Sequence, residues 1–258
     1  MLAKVMEPKP KREGVPALQP SDGWRSASLS DIGLLRSHNE DACIELPEQQ
    51  VWLVADGMGG HEAGDLASRT VVEQVASLQP VERLSDRIEA LTARIQAANT
   101  ALAAEGRRRG ASVIGSTVAG LLLDGRHAVC VWAGDSRVYR LRDGRLRQLT
   151  RDHRWVNELV DRGVITRNDA EHHPLANEIT RAVGADEALT LSVEMRDLLP
   201  GDSYLICSDG LHGEVEEDEI TDILVNQHLG DACRALVAAA KRNGARDNVT
   251  VIVVQGPR

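Results

Sequence analysis

Val51-Trp52-Leu53-Val54-Ala55-Asp56-Gly57 starts as a run of apolar residues and ends on a carboxylate followed by glycine. Apolar and β-branched residues favour a buried strand, whereas an aspartate at the tip gains nothing from burial. Three other stretches share this form. Val129-Cys130-Val131-Trp132-Ala133 leads into Gly134-Asp135, and Tyr204-Leu205-Ile206-Cys207-Ser208 leads into Asp209-Gly210. Asp247-Asn248 precedes the run Val249-Thr250-Val251-Ile252-Val253-Val254. One such ending is a turn. Four of them predict carboxylates gathered at one edge of a packed β core, where like charges resist ionising unless a cation lies between them. Oxygen ligands of this kind suit Mg²⁺ or Mn²⁺ and not zinc. The residues alone point to a binuclear, oxygen-ligated metal enzyme.

With 258 residues the chain is long enough for one large domain or two small ones. It has four Trp, two Tyr and no Phe, so its core must be built from Val, Leu, Ile and Ala. A net charge of −9 argues against a dedicated nucleic-acid binder. The basic run Arg107-Arg108-Arg109 falls at an expected helix end, where cations favour the helix dipole, and reads as a solvated terminus. Cys43, Cys130, Cys207 and Cys233 have neither CxxC spacing nor histidines at zinc distances, the pattern of a reduced, cytoplasmic protein. No apolar run approaches the roughly 20 residues needed to span a bilayer. Residues 1–23 lack the apolar core of a secretory signal and carry Pro8, Pro10, Pro16 and Pro20, so a flexible leader is expected there.

Strands are expected over Trp24–Leu35 and Ala42–Asp56, with Asn39-Glu40-Asp41 between them. After the glycine-rich stretch Gly57–Gly64, Asp65 is expected to cap a helix running to about Gln79. That stretch lacks both the lysine of a P-loop and the GxGxxG register, so its glycines read as backbone brought close to metal. Leu84, Ile88, Leu91, Ile95, Ala98 and Leu102 recur at helical spacing and predict a second helix over Arg83–Glu105, antiparallel to the first. A β-rich block follows from Ser112 to Thr150, with Asp143-Gly144 as a hairpin turn. Charge and histidine then replace strand formers, which predicts an inserted flap over about 153–181 with a helix from Trp155 to Arg162 and a cap at Asn168. Strand character returns from Leu189 to Ser208, a helix fits Asp231–Arg242, and a last strand fits Val249–Gln255.

Six motifs in order now carry a resemblance. They are Arg36-Ser37-His38-Asn39-Glu40-Asp41, Asp56-Gly57-Met58-Gly59-Gly60-His61, Gly115-Ser116-Thr117-Val118, Gly134-Asp135-Ser136-Arg137, Ser208-Asp209-Gly210 and Asp247-Asn248-Val249-Thr250. Together they resemble the metal-dependent protein phosphatases of type 2C in their bacterial form, over about Trp24 to Val254. The resemblance implies an α+β fold: a four-layer α-β-β-α sandwich of two antiparallel sheets flanked by helix pairs, with the metal centre at one end. Residues 24–256 would be the catalytic domain.

The chemistry implied is hydrolysis of phosphoserine and phosphothreonine by a hydroxide shared between two Mn²⁺ or Mg²⁺ ions, with no phosphoenzyme. By resemblance Asp56 bridges the ions, Gly57 offers its backbone carbonyl, and Asp209 and Asp247 complete the set. Glu40 and Asp41 resemble residues that hold metal-bound waters, and Arg36 resembles a phosphate anchor, its planar fork matching phosphoryl oxygens. Gly115-Ser116-Thr117 reads as a core strand, since no Ser-His-Asp logic accompanies it.

Two departures stand out. Animal members carry a histidine two residues after the first aspartate, where this chain has Met58, and neither His61 nor His153 is assigned as its substitute. Bacterial members hold a third, weaker metal, for which Asp135 matches one ligand. The slot of the other is Gly213, so that ion is absent or held by His212 or Glu214. His172-His173 reads as flap surface, and Asn177 and Arg181 as structural. The expected partners are phosphorylated proteins, namely a bacterial serine/threonine kinase and its substrates, met by a monomer with no nucleic acid and no membrane span. The alternatives are a pseudophosphatase that binds phosphoproteins without turnover, and a regulator acting on one serine of an anti-sigma antagonist.

Overall fold

The computed structural model describes residues 23–110 and 113–256, so the expected leader lies outside the described residues except for Gly23. The chain runs β1 (Arg25–Asp31), β2 (Asp41–Leu46), a short 3₁₀ turn (Pro47–Gln49), β3 (Val51–Met58), α1 (His61–Ala76) and α2 (Leu84–Arg109). It continues through β4 (Gly115–Ser116), β5 (Val118–Asp124), β6 (His127–Ala133), β7 (Arg137–Arg142) and β8 (Arg145–Gln148). Next come α3 (Trp155–Asp161), α4 (Arg167–Glu171), β9 (Ser192–Asp197), β10 (Ser203–Cys207) and α5 (Asp209–His212). The chain closes with α6 (Glu217–Asn226), α7 (Leu229–Asn243) and β11 (Val249–Gln255).

One sheet has the order β2-β3-β5-β6-β9 with β4 beside β3, the other β1-β11-β10-β7-β8, and the pairings are antiparallel. The period of two along β3 explains how the layers meet. Trp52 and Val54 point between the sheets, where they join Leu121, Cys130, Ile206 and Ile252. Val51, Leu53 and Ala55 point outward, where α1 and α2 cover them with Val71, Val75, Leu91, Ile95 and Leu102. On the far side, α6 and α7 lay Ile220, Leu224, Leu236 and Ala240 over Leu205, Val251 and Val253. These are the four layers, α-β-β-α, that the resemblance implied. Burying Leu91, Ile95 and Leu102 contributes about 1.5–3 kcal/mol each. The exposed pairs of Glu105 with Arg108 and Arg109 at the end of α2 add little.

Several boundaries differ from expectation for local reasons. β1 stops at Asp31 and not Leu35, because Gly33 turns the chain with φ +78° and Leu34 N–H donates to Ala245 O. α1 begins at His61, so Asp65 is no cap but lies within the helix and pairs with Arg69 one turn on. The side chain of His61 lies outside the described residues. In the flap, Thr166 and Asp169 form a capping box, so Thr166 and not Asn168 caps α4. α6 supplies the partner of α7 that the resemblance implied, over residues where the sequence reading placed no helix. The flap leaves and rejoins the core at one point: Thr180 N–H donates to His153 O (2.7 Å) and Trp155 N–H to Glu178 O (2.8 Å). Among the described residues no helix is long and apolar enough to cross a membrane.

Candidate metal centre

The carboxylates converge because several strands end, or begin, at the same end of the sandwich. Asp41 opens β2 directly opposite Asp56 in the β2/β3 register. Asp209 follows β10, Asp247 precedes β11, and Asp135 follows β6. A hydrogen-bonded frame holds these ends. Ser208 Oγ donates to Asp41 Oδ2 (2.8 Å) and accepts from Thr250 N–H (3.0 Å), joining β10, β2 and β11. Thr117 fixes the Asp56 backbone at both N–H (3.2 Å, to Thr117 Oγ1) and C=O (2.8 Å, from Thr117 N–H). Asn248 accepts from Glu40 N–H (2.8 Å) and donates to Ile32 O and His38 O, so the loop that carries Arg36 is tied to the loop that carries Asp247. Gly57 lies where α1 crosses β3: a Cβ there would sit 2.0 Å from Gly64 O.

The electrostatics are those of crowded acids. Burial, then the charges of Asp41, Asp209, Asp135 and Asp247, hold the Asp56 carboxyl well above the usual range. Burial and the same neighbours, Asp135 first, push Asp209 up to about 7. Burial pushes Asp41 up to about 6 against the pull of hydrogen bonds from Thr250 and Ser208. Asp41 Oδ1 and Asp209 Oδ1 are buried with no hydrogen-bond donor. Buried acceptors left without donors are rare and call for a reason. Among the described residues no three Asp, Glu, His or Cys side chains are already drawn into a tight ligand cage. The donor set is nonetheless all oxygen, under-supplied with protons, and placed where a hard divalent cation would satisfy it. The residues fit such ions.

Arg36, the expected phosphate anchor, lies at this end with its side chain half exposed, and donates to Asp247 Oδ2 at 2.5 Å. Asp135 is engaged too, by Arg154 from the flap stem. His212 and Glu214 are both committed elsewhere. His212 Nε2–H donates to Asp135 O (3.0 Å), with burial first and the Arg137 charge next holding its ring neutral at a pKa of about 3. Glu214 accepts from Arg246 Nε (2.8 Å). His153 is a buried brace: its Nδ1 accepts from Gly134 N–H, its Nε2 reaches Ser192 Oγ (2.9 Å), and its ring stacks on Trp132. Ser116 is buried and donates to Thr117 O. His172 lies exposed on the flap. Sequence reasoning passed over Ser208, Thr117 and Asn248 as organisers, and Arg154 altogether. Asn248 and Ser208 each adjoin a ligand-like aspartate, which was the one available signal, whereas nothing local marks Arg154.

A family model for protein phosphatase 2C matches residues 36–247. The serine/threonine protein phosphatase PstP of Mycobacterium tuberculosis is 39% identical over 230 residues, which cover 89% of this chain and 44% of PstP. The chain therefore spans under half the length of that curated relative. A structure described as PppA, a key regulatory component of T6SS in Pseudomonas aeruginosa, superposes with a TM-score of 0.85 at 43% identity, covering 91% of this chain and 98% of that one. The catalytic domain of PstP in complex with two manganese ions superposes with a TM-score of 0.78 at 36% identity, covering 90% and 97%. With the fold, the acidic strand ends and these likenesses in agreement, the chain belongs to the protein phosphatase 2C family.

Proposed function

We propose that this protein is a metal-dependent serine/threonine protein phosphatase, with residues 24–256 as its catalytic domain. The observation that carries the reading is the convergence of Asp41, Asp56, Asp209, Asp135 and Asp247, with pKa values raised at Asp56 and Asp209 and buried carboxylate oxygens left without donors. Asp56, the Gly57 carbonyl, Asp209 and Asp247 would hold two Mn²⁺ or Mg²⁺ ions, with Glu40 and Asp41 ordering water around them. The manganese complex of the related PstP domain supports the binding of two such ions. Such ions supply charge compensation and lower the pKa of water, the two needs of phosphomonoester hydrolysis.

The chain's own residues do the rest. Arg36 offers a planar fork of donors at the mouth of the site, suited to a phosphoryl group and permanently charged. Thr117, Ser208 and Asn248 hold the carboxylates in position, so no reorganisation is needed as charge develops. Met58 is a thioether and donates no proton, so the residue at that position does not protonate the leaving group. The flap over about 153–181, whose stem residue Arg154 pairs with Asp135, would select substrates, as loops on rigid scaffolds commonly do. The substrates would be phosphoproteins in the cytoplasm, produced by a serine/threonine kinase that this protein, as a monomer, opposes.

Phosphate release from a phosphothreonine peptide tests the reading, measured with Mn²⁺, with Mg²⁺ and with EDTA, beside an Asp209→Asn control. Turnover that needs metal and disappears in the control is the expected result. A folded protein with no turnover on any metal overturns it.

A further inference from the structure

The residues around Asp135 do not fit a third divalent ion. Asp135 is 4% exposed, and Arg154 covers its carboxylate: Nε lies 2.9 Å and Nη2 2.8 Å from Oδ2. The same guanidinium lies 3.7 Å from Asp152 Oδ2, so it is shared by two buried acids. Gly213 brings no carboxylate, and a Cβ there would stand 2.9 Å from Asp209 O. His212 presents an N–H, not a lone pair, to Asp135 O, and Glu214 is held by Arg246. The position is therefore already filled by a cation that belongs to the chain.

We propose that Arg154 is the resident cation at Asp135, a positioning residue whose guanidinium pairs with that acid and fastens the flap to the metal end of the core. This rests on the two-ion reading above and deepens it. Arg154 stands in the flap stem, where it bridges Ile179 and is followed by the Trp155–Glu178 hydrogen bond, so holding its side chain holds both legs of the flap. A guanidinium carried by the chain cannot diffuse away or deprotonate, and here two of its N–H groups converge on Asp135 Oδ2. Breaking a buried ion pair by removing one partner strands the other charge, which is strongly unfavourable. The flap's position is thereby independent of metal concentration, and the occupied third position leaves two ions to bind.

Two measurements on the full chain test this. Equilibrium dialysis against Mn²⁺ should give two ions per protein, and Asp135→Ala should leave that number unchanged. A third ion that vanishes in Asp135→Ala overturns the proposal. Hydrogen exchange followed by mass spectrometry should find residues 155–178 equally protected in EDTA and in Mn²⁺. In Arg154→Ser exchange there should be about tenfold faster under both conditions, since a buried pair has been broken. β10 and β11 should keep their protection in that variant, which reports an intact core, and Arg154→Lys should fall between the two proteins. Unchanged flap exchange in Arg154→Ser overturns the tether. A wild-type protein that binds no Mn²⁺ overturns the two-ion reading instead, while the comparison in EDTA still decides the role of Arg154.

Discussion

Asp209 Oδ1 is buried without a donor, and its carboxyl is pushed up to about 7 by burial and by Asp135, Asp247 and Asp41. The charge that would hold a divalent ion therefore weakens the metal-free protein. Asp209→Asn removes the charge and can turn an amide N–H toward the neighbouring carboxylates. Losing a residue that merely orients a metal ligand costs about 10–100-fold, so losing a ligand should lower turnover by at least about 100-fold. The same variant, stripped of metal at pH 8, should be more stable by roughly 1–3 kcal/mol, the cost of a buried group without a partner. A steady-state assay and a thermal melt in EDTA read the two, and a lower melting temperature in EDTA would refute the electrostatic account. Arg36 is a different case, with its side chain 53% exposed and bound to Asp247. Hydrogen bonds to charged groups contribute about 1.5–3 kcal/mol, so Arg36→Ala should raise KM for a phosphopeptide roughly 10–100-fold at saturating Mn²⁺. Arg36→Lys keeps the charge without the fork and should fall between. An unchanged KM would show that Arg36 serves Asp247 alone.

Strands were readable from the sequence wherever both faces of a sheet are covered, because β3, β6, β10 and β11 then become continuous apolar runs between polar ends. The aspartates could be read for the same reason, as polar residues closing apolar runs. α6 escaped because its buried side is only Ile220 and Leu224 within ten residues, too short a stripe to mark a helix. The pairing of Asp135 with Arg154 escaped because it depends on where the flap lands, which no periodicity encodes. The crossing of α1 over β3 was only half readable. Gly57 and Gly64 were expected to let backbone approach metal, and the structure adds that they let two elements touch: Gly57 meets Gly64 O, and Gly64 meets Gly57 C and the Glu40 side chain. Gly57→Ala should push α1 off the strand and destabilise by about 1–3 kcal/mol, the usual cost of overpacking. Each kcal/mol lowers Tm by roughly 2–4 °C in a chain of this size. Calorimetry in EDTA gives the stability and Mn²⁺ titration the affinity, which should weaken in parallel because the Gly57 carbonyl moves with the strand. A variant with both unchanged would remove the close approach from the account of the site.

Across the whole molecule, two sets of buried groups give stability opposite dependences on pH. His153 and His212 are held neutral, at about 4 and about 3, chiefly by burial. Their folded pKa values lie below the unfolded ones, so they lower stability as pH falls through the range below about 6.5. Asp41, Asp56 and Asp209 are shifted the other way, with Asp41 at about 6 and Asp209 at about 7. Between the unfolded value near 3.9 and these folded values the native state binds more protons than the unfolded chain, so their contribution falls as pH rises. Below about pH 6 the two sets oppose one another. Above about 6.5 the histidines are neutral in both states, and the raised carboxyls, Asp209 at about 7 among them, set the slope. The metal-free protein should therefore lose stability between pH 6.5 and 8, when most domains are flat. Divalent cations reverse this, since they bind only the ionised cluster and stabilise the fold by mass action. The gain in Tm on adding Mn²⁺ should grow from pH 6.5 to pH 8, and in Asp209→Asn both the slope and the gain should shrink together. Melting curves across that range, with EDTA and with Mn²⁺, read every term. A metal-free protein whose Tm rises from pH 6.5 to 8 would mean that the acidic cluster is already neutralised from within, and that its need for a cation is not what holds the site open to metal.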